Sequence, residues 1–256
     1  MKQLQQRLNS AWLKYSFNTL FRLARDPWQY TSPYEKWKYE QELQLLPSVP
    51  IPQALELGCA EGIFTVQLAT YVEQLVAADI SFVALTRATQ RCVLQQCENV
   101  RLIQFDLTQD ELPVDCFDLI VCSEILYYMG DRVVLEKVAK KLADALKPNG
   151  YLITSNDYRV KTTNQELLQK STKKSGIIGA EVIGAVLSES PLQLVKVIRT
   201  PSYCTHLFQR TLPGSVSPLP ETIDLTEAEV PQKQSNIFDL FSWAAIAKVA
   251  QRGFKL

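Results

Sequence analysis

Residues 54–62 read Ala-Leu-Glu-Leu-Gly-Cys-Ala-Glu-Gly, an apolar run carrying one acid, Glu56, that breaks into a loop between Gly58 and Gly62. A buried parallel strand ends this way when a ligand must lie against its backbone. Gly58 permits a tight turn and lets the main chain approach a ligand with no Cβ between them. Gly62 opens the next helix, where peptide N–H groups have no intrahelical partner. The same two glycines also suit a plain strand-to-helix turn, so the residues that follow decide between the two.

Those residues repeat one arrangement. Ile63, Phe64, Val66, Leu68 and Ala69 form an amphipathic stretch, and a second apolar strand, Leu75-Val76-Ala77-Ala78, stops at Asp79. A third strand over 100–105 stops at Asp106, and a fourth over 117–122 runs into Ser123-Glu124-Ile125-Leu126-Tyr127-Tyr128. Polar residues therefore fall at the carboxyl ends of successive strands, where open α/β sheets bind ligands. An acid after the second strand is placed to accept hydrogen bonds from both hydroxyls of a ribose, and Asp106 to accept one from an adenine amino group. A nicotinamide dehydrogenase also has glycines followed by an acid. It favours Gly-x-Gly-x-x-Gly, whereas residues 58–63 read Gly-Cys-Ala-Glu-Gly-Ile.

This set resembles the class I methyltransferases that use S-adenosylmethionine. The resemblance implies a Rossmann-like α/β fold, with a seven-stranded, mostly parallel sheet, one antiparallel strand and helices on both faces. It implies cofactor contacts from Glu56, Gly58, Cys59 and Gly62, from Asp79 and Ile80 at the ribose, and from Asp106 and Leu107 at the adenine. Residues 118–128 would face the methyl group. Asp26-Pro27-Trp28 and Ser32-Pro33-Tyr34-Glu35-Lys36-Trp37-Lys38-Tyr39, with Glu124-Ile125-Leu126-Tyr127-Tyr128 and Gly179-Ala180-Glu181-Val182-Ile183, look more particularly like the nodulation protein S family over roughly residues 24–210. Members of that family methylate the free amine of a glucosamine unit in a lipo-chitooligosaccharide. In this resemblance the amino-terminal segment folds over the cofactor. Trp28 would then shield the sulfonium by a cation–π contact, and Lys36 or Lys38 would pair with the methionine carboxylate. A hydrophobic anchor flanked by solvated lysines would leave the same sequence.

Methyl transfer from a sulfonium is an in-line displacement with an already activated leaving group, so the protein chiefly aligns donor and acceptor and excludes water. No metal is needed. An amine acceptor must be neutral to attack, and a carboxylate or phenol beside it can take its proton. Glu124, just past the fourth strand, is the first candidate, although it equally suits the methionine amino group or a helix cap, and among the cofactor contacts it is counted too. Tyr127 and Tyr128 follow, as proton acceptors or as walls of the acceptor pocket, and Asp157, beyond the fifth strand, is a third possibility. His206, the single histidine, falls inside the last strand away from this end of the sheet and reads as structural. The expected activity is N-methylation of a primary amine of an amino sugar or another small metabolite, as in natural product biosynthesis. The alternatives are an O-methyltransferase of a secondary metabolite and a non-catalytic protein that binds S-adenosylmethionine.

At 256 residues, 46% hydrophobic and 21% charged, the chain can bury one sizeable core. Its expected organisation is a helical cap over 1–45, the methyltransferase domain over 46–210, and an acidic, proline-containing linker with a carboxyl-terminal helix over 211–256. Twenty-seven basic and 27 acidic residues cancel, so nothing in the charge argues for a nucleic acid or anionic membrane partner, although the basic residues over 1–25 leave a membrane-surface role open for that helix. The six cysteines are scattered without a C-x-x-C pair, as expected of buried thiols in a reducing cytoplasm, and no metal site is expected. Basic residues interrupt residues 1–25, leaving no apolar core of signal-peptide length, and no run approaches the length of a membrane span. Leu4, Leu8, Ala11 and Tyr15 recur at helical spacing, suggesting a helix packed on the domain or on the partner of a homodimer. Further along, the pattern predicts a helix over 131–146 capped by Asp131, a fifth strand over 151–154, a mobile connection over 161–176, a helix over 180–187, strands over 192–198 and 203–209, and a helix over 237–249.

Overall fold

The computed structural model describes residues 2–158, 178–211 and 219–233. The connection expected over 161–176 and the helix expected over 237–249 lie outside the described residues. Two helices, α1 (Lys2–Leu23) and α2 (Pro33–Gln44), precede β1 (Gln53–Leu57). Then come α3 (Ile63–Leu68), β2 (Gln74–Asp79), α4 (Phe82–Leu94), β3 (Val100–Gln104), β4 (Phe117–Cys122), α5 (Arg132–Ala145) and β5 (Leu146–Asp157). The described chain closes with α6 (Ala180–Ser188), β6 (Leu192–Arg199), β7 (Tyr203–Arg210) and β8 (Glu221–Asp224). No helix among the described residues is long and apolar enough to cross a membrane.

The strand order is β3-β2-β1-β4-β5-β7-β6-β8, with β1 to β5 parallel and β7 antiparallel to both of its neighbours. This is the expected class I methyltransferase sheet with one strand more. β8 arises from the stretch whose prolines and acids suggested an irregular linker. Its acids are placed by pairing: Glu221 meets Lys196 at 3.1 Å and Asp224 meets Arg199 at 3.5 Å as β8 runs parallel to β6. The fifth strand is also longer than 151–154. Its start at Leu146 pairs with Phe117, a register shift before Leu119 accommodates Pro148-Asn149-Gly150, and its end stays paired with β7 as far as Asp157 and Tyr203. Asp157 is therefore the last residue of β5 rather than part of a loop beyond it.

Alternation along the strands divides the core. Leu55, Leu57, Ile120, Cys122 and Leu152 pack with Leu135, Val138 and Leu142 of α5 and Ile183 and Leu187 of α6, while Ala54, Leu119, Val121 and Ile153 pack on the other face with Tyr39 of α2 and Phe64 and Leu68 of α3. The Asp131 carboxylate accepts from Val134 N at 2.9 Å and starts α5 as expected. Helix α1 docks on its own chain, but not by the face its leucine spacing suggests. Leu4 and Tyr15 are 63% and 68% exposed, and the docked stripe is Ser10, Phe17, Asn18 and Phe21. Asn18 Oδ1 accepts from Ser81 Oγ at 3.0 Å and Val83 N at 3.2 Å, and Arg87 donates to Ala24 O at 2.9 Å and to Phe21 O. These hydrogen bonds and the packing of Phe17 and Phe21 with Val83 and Ala84 together seat this helix.

Strand order reverses between β1 and β4, which opens a crevice beyond their carboxyl ends. Gly58 follows β1 there with φ +81°, and a Cβ on it would stand 2.5 Å from Ile125 Cγ2 after β4. Both the left-handed backbone and the missing Cβ are needed. Gly58→Ala is expected to destabilise the protein by at least about 2 kcal/mol, combining left-handed strain with overpacking, measurable by chemical denaturation.

Candidate active site

A cavity of about 460 Å³ fills the crevice, within the range of small-molecule sites. Trp28, Lys38, Glu56, Gly58, Cys59, Asp79, Ile80, Asp106, Leu107, Glu124, Tyr127, Tyr128 and Asp157 all line it. Gly62 does not. With φ +75° it turns the chain into α3, and a Cβ there would come within 3.0 Å of Ala88 Cβ in α4, so its smallness serves helix packing. Asp118 is also remote from the site. Its Oδ2 accepts from Gln53 N at 2.9 Å and from Lys147 Nζ at 2.8 Å at the opposite end of the sheet.

The β1 and β2 ends form a cradle. Asp79 Oδ2 accepts from Ala60 N at 2.9 Å and Oδ1 from Ser81 N at 2.7 Å, so the carboxylate braces the glycine loop while facing the cavity. Burial pushes its pKa up to about 6 despite these backbone donors. Glu56 is 4% exposed, its Oε2 has no hydrogen-bond partner, and burial, reinforced by Glu42 and Asp79, pushes it up to about 8. Asp106 is held from two sides: Oδ1 accepts from Thr108 N at 2.9 Å and Thr108 Oγ1 at 2.7 Å, and Oδ2 from Ser10 Oγ of α1. An unpartnered buried carboxylate oxygen and a side-chain-free glycine at the cavity suit a ligand that carries positive charge and lies close to the backbone.

Lys38 and not Lys36 faces inward. Lys36 is exposed, while Lys38 is 4% exposed, with Nζ 2.8 Å from Glu35 Oε2 and 3.2 Å from Glu124 Oε1. Burial alone would lower its pKa, but Glu124 and Glu35 hold it well above the ordinary lysine value, so it is a permanent cation. Glu124 adopts φ +59°, and its N–H donates to Ser155 O at 2.8 Å. One turn beyond Lys38 lies Glu42, 1% exposed, with neither carboxylate oxygen hydrogen-bonded. Burial pushes it up to about 7; the Ser155 and Ser123 hydroxyls, outside good hydrogen-bond geometry, oppose that shift without cancelling it. Sequence reasoning missed Glu42 because a glutamate within a charged helix gives no sign of burial.

An aromatic wall faces the acids. Trp28 packs between Phe17, Phe21 and Tyr30, with ring centroids 6.0, 5.5 and 5.9 Å away. Tyr127 and Tyr128 lie 4.6 Å apart, and Phe17 meets Tyr128 edge-on at 5.2 Å. The contribution of α1 through Leu13, Phe17 and Phe21 was not read from the sequence, where those residues are spaced as an ordinary apolar stripe. His206 lies on β7 away from the cavity, 3.4 Å from Cys204 Sγ, and burial lowers its pKa to about 4. Among the described residues, no three His, Cys, Asp or Glu side chains are arranged to hold a metal ion.

The fold is that of a class I methyltransferase, and the solved structures it resembles include N-methyltransferase NodS from Bradyrhizobium japonicum WM9 in complex with S-adenosylhomocysteine. That likeness has a TM-score of 0.64 and 26% identity, over 77% of this chain and 97% of the other. The protein is an S-adenosylmethionine-dependent methyltransferase. The profile of the family described as Nodulation protein S (NodS) matches residues 20–199, and the chain belongs to that family. Nodulation protein S of Sinorhizobium fredii strain NGR234 is 30% identical over 177 residues, 68% of this chain and 76% of the relative. That of Rhizobium tropici is 32% identical over 178 residues, covering 69% and 68%.

The buried acids make stability depend on pH in a definite sense. Glu42 and Glu56 titrate near 7 and 8 in the folded chain against 4.5 in an unfolded one. The folded state thus holds protons that the unfolded state releases, and stability falls as pH rises from about 4.5 to about 8. Glu42→Gln removes one of these groups. In the absence of ligand it should raise Tm above wild type by more at pH 8 than at pH 5, with a gain on the order of 3 kcal/mol as the upper bound.

Proposed function

We propose that this chain transfers a methyl group from S-adenosylmethionine to the nitrogen of a primary amine on an amino sugar or another small metabolite. The observation that carries this is the charge of the cavity. Among the described residues eight carboxyl groups line it against two lysines, Lys38 and Lys233. Glu35 and Glu124 pair with Lys38, and Glu61 pairs with Arg87. Glu42, Glu56 and Asp79, pushed toward the protonated form by burial, ionise favourably when a cation enters beside them. Such a lining favours two cations brought together, a sulfonium donor and an ammonium acceptor. The solved relative's description as an N-methyltransferase supports nitrogen as the acceptor.

When bound, the cofactor supplies a methyl group on a positively charged sulfur. Asp79, beside Ile80, would accept from the ribose hydroxyls, and Asp106 with Leu107 would receive the adenine. Gly58 and Cys59 would let the methionine portion approach the backbone, with Glu56 facing its charge. Trp28 closes the cavity from the segment over 1–45, which acts as a cap. Glu124, oriented by Lys38, takes the proton from the acceptor amine, so that a neutral nitrogen lone pair points at the methyl carbon. Tyr127 and Tyr128 form the pocket wall, and Asp157 marks its acceptor side at the end of β5. Removal of water by the aromatic wall strengthens each of these polar contacts.

Two measurements test these roles. Asp79→Ala should weaken S-adenosylhomocysteine binding about tenfold to a hundredfold by calorimetry, with Asp79→Asn losing less; equal affinity in the alanine variant removes Asp79 from the ribose. Glu124→Gln keeps the shape but not the base, and kcat for an amine acceptor should fall at least about a hundredfold at pH 7 and recover partly by pH 9, with cofactor affinity little changed. A flat, wild-type kcat across pH 6–9 would falsify proton acceptance by Glu124.

A further inference from the structure

The segment after β8 returns to the cavity. Leu225 N donates to Arg199 O at 2.8 Å, and Thr226 N and Oγ1 donate to Glu229 Oε2 at 2.8 and 2.7 Å, closing a turn. Val230, 9% exposed, then packs against Tyr34 and Tyr203. These anchors deliver Lys233 to the cavity lining, with Nζ 3.9 Å from Asp157 Oδ2 and 5.8 Å from the centroid of the Tyr34 ring. Lys38 Nζ lies at the same 5.8 Å from that ring. Both ammonium groups, and with Lys38 the Glu124 carboxylate, therefore sit around one tyrosine. A single metabolite-sized molecule can meet them all.

The two lysines differ in what remains for a ligand. Lys38 is buried between two carboxylates at hydrogen-bond distance. Lys233 has a side chain 45% exposed and one carboxylate, too distant for a hydrogen bond, and no hydrogen bond to it is found among the described residues. Its three donors are available. Asp157 holds the ammonium at the lining without saturating it. Among the described residues lining the cavity, the other cation is Lys38, already held between two carboxylates, so Lys233 is the one with capacity left for an anion. The family match ends at residue 199, so β8 and the strap bearing Lys233 lie beyond it.

On the amine-methylation reading above, we propose that Lys233 is a specificity-determining residue that binds an anionic oxygen group, phosphate or carboxylate, carried by the same acceptor whose amine meets Glu124. The acceptor is then a small anionic amine. A charge-assisted contact of this kind in a partly dry cavity changes affinity by about tenfold or more.

The test uses the full chain saturated with S-adenosylhomocysteine at fixed ionic strength. Matched pairs are titrated: glucosamine 6-phosphate against glucosamine, 2-aminoethyl phosphate against ethanolamine, and β-alanine against propylamine. In at least one pair, the wild type should bind the anionic member about tenfold or more tightly. Which pair does so distinguishes phosphate from carboxylate. Lys233→Gln should abolish that preference and Lys233→Glu invert it, with Lys233→Arg retaining it, while the neutral member's affinity and the affinity for S-adenosylhomocysteine hold. Equal affinity within every pair, binding of no member, or a preference that survives Lys233→Gln overturns the assignment. Loss of S-adenosylhomocysteine affinity in Lys233→Gln also overturns it, by giving Lys233 to the methionine carboxylate. In a second arm, with S-adenosylmethionine carrying a labelled methyl group in place of S-adenosylhomocysteine, transfer to amines without anion preference would remove this role from Lys233 and leave nitrogen as the acceptor, whereas label appearing only on oxygen acceptors would overturn both.

Discussion

The Lys38 ammonium lies almost without solvent between carboxylates from two distant parts of the chain, Glu35 in its own helix and Glu124 after β4, and the geometry of the site follows from that pairing. Removing one member of a buried ion pair typically costs about 3–5 kcal/mol, because the remaining charge is stranded. Helix α2 precedes the sheet in sequence and is locked to the switch point by this contact. The same contact helps to hold Glu124 in a left-handed backbone conformation, which costs about 1–3 kcal/mol wherever it occurs in a residue other than glycine. Position of the entering helix, orientation of the acid and shape of the crevice are thus one constraint.

What could be read in the sequence was what local periodicity expresses. Apolar runs that stop at Asp79 and Asp106, the glycine after β1, and the capped helix before β5 each place themselves by patterns a few residues long. The face of α2 could not be read that way. Its buried residues are Tyr34, Glu35, Lys38, Tyr39 and Glu42, a helical stripe in which three of five side chains are ionisable acids or bases of the ordinary surface kind. Hydrophobic patterning assigns such a stripe to solvent, whereas here the charges compensate one another indoors. Helix α1 reversed the expectation for the related reason that its docked face is held by Ser10, Asn18 and the Arg87 contacts, while Leu4 and Tyr15 point outward. In β8 the acids that suggested a linker are the partners of Lys196 and Arg199, a match visible only once two strands are side by side.

Three acids at the cavity, Glu42, Glu56 and Asp79, are each pushed toward the protonated form by burial. Their ionised forms become favourable when positive charge enters beside them. Ligand binding and proton release are then linked through the same atoms, and a sulfonium compound is expected to be held more tightly than its uncharged thioether product as pH rises. Such a difference favours departure of the product once its charge has been transferred.

Beyond its part in carrying the strap, β8 changes the border of the sheet. Without it, the border would be β6, eight residues reading Leu-Gln-Leu-Val-Lys-Val-Ile-Arg, whose length and aliphatic content make an open template for a strand from another molecule. With it, the outermost strand on that side among the described residues has four residues, two of them acidic and all but one exposed. A short, charged border offers little for a foreign chain to pair with, so among the described residues the segment that brings a lysine to the cavity also blunts this edge of the sheet.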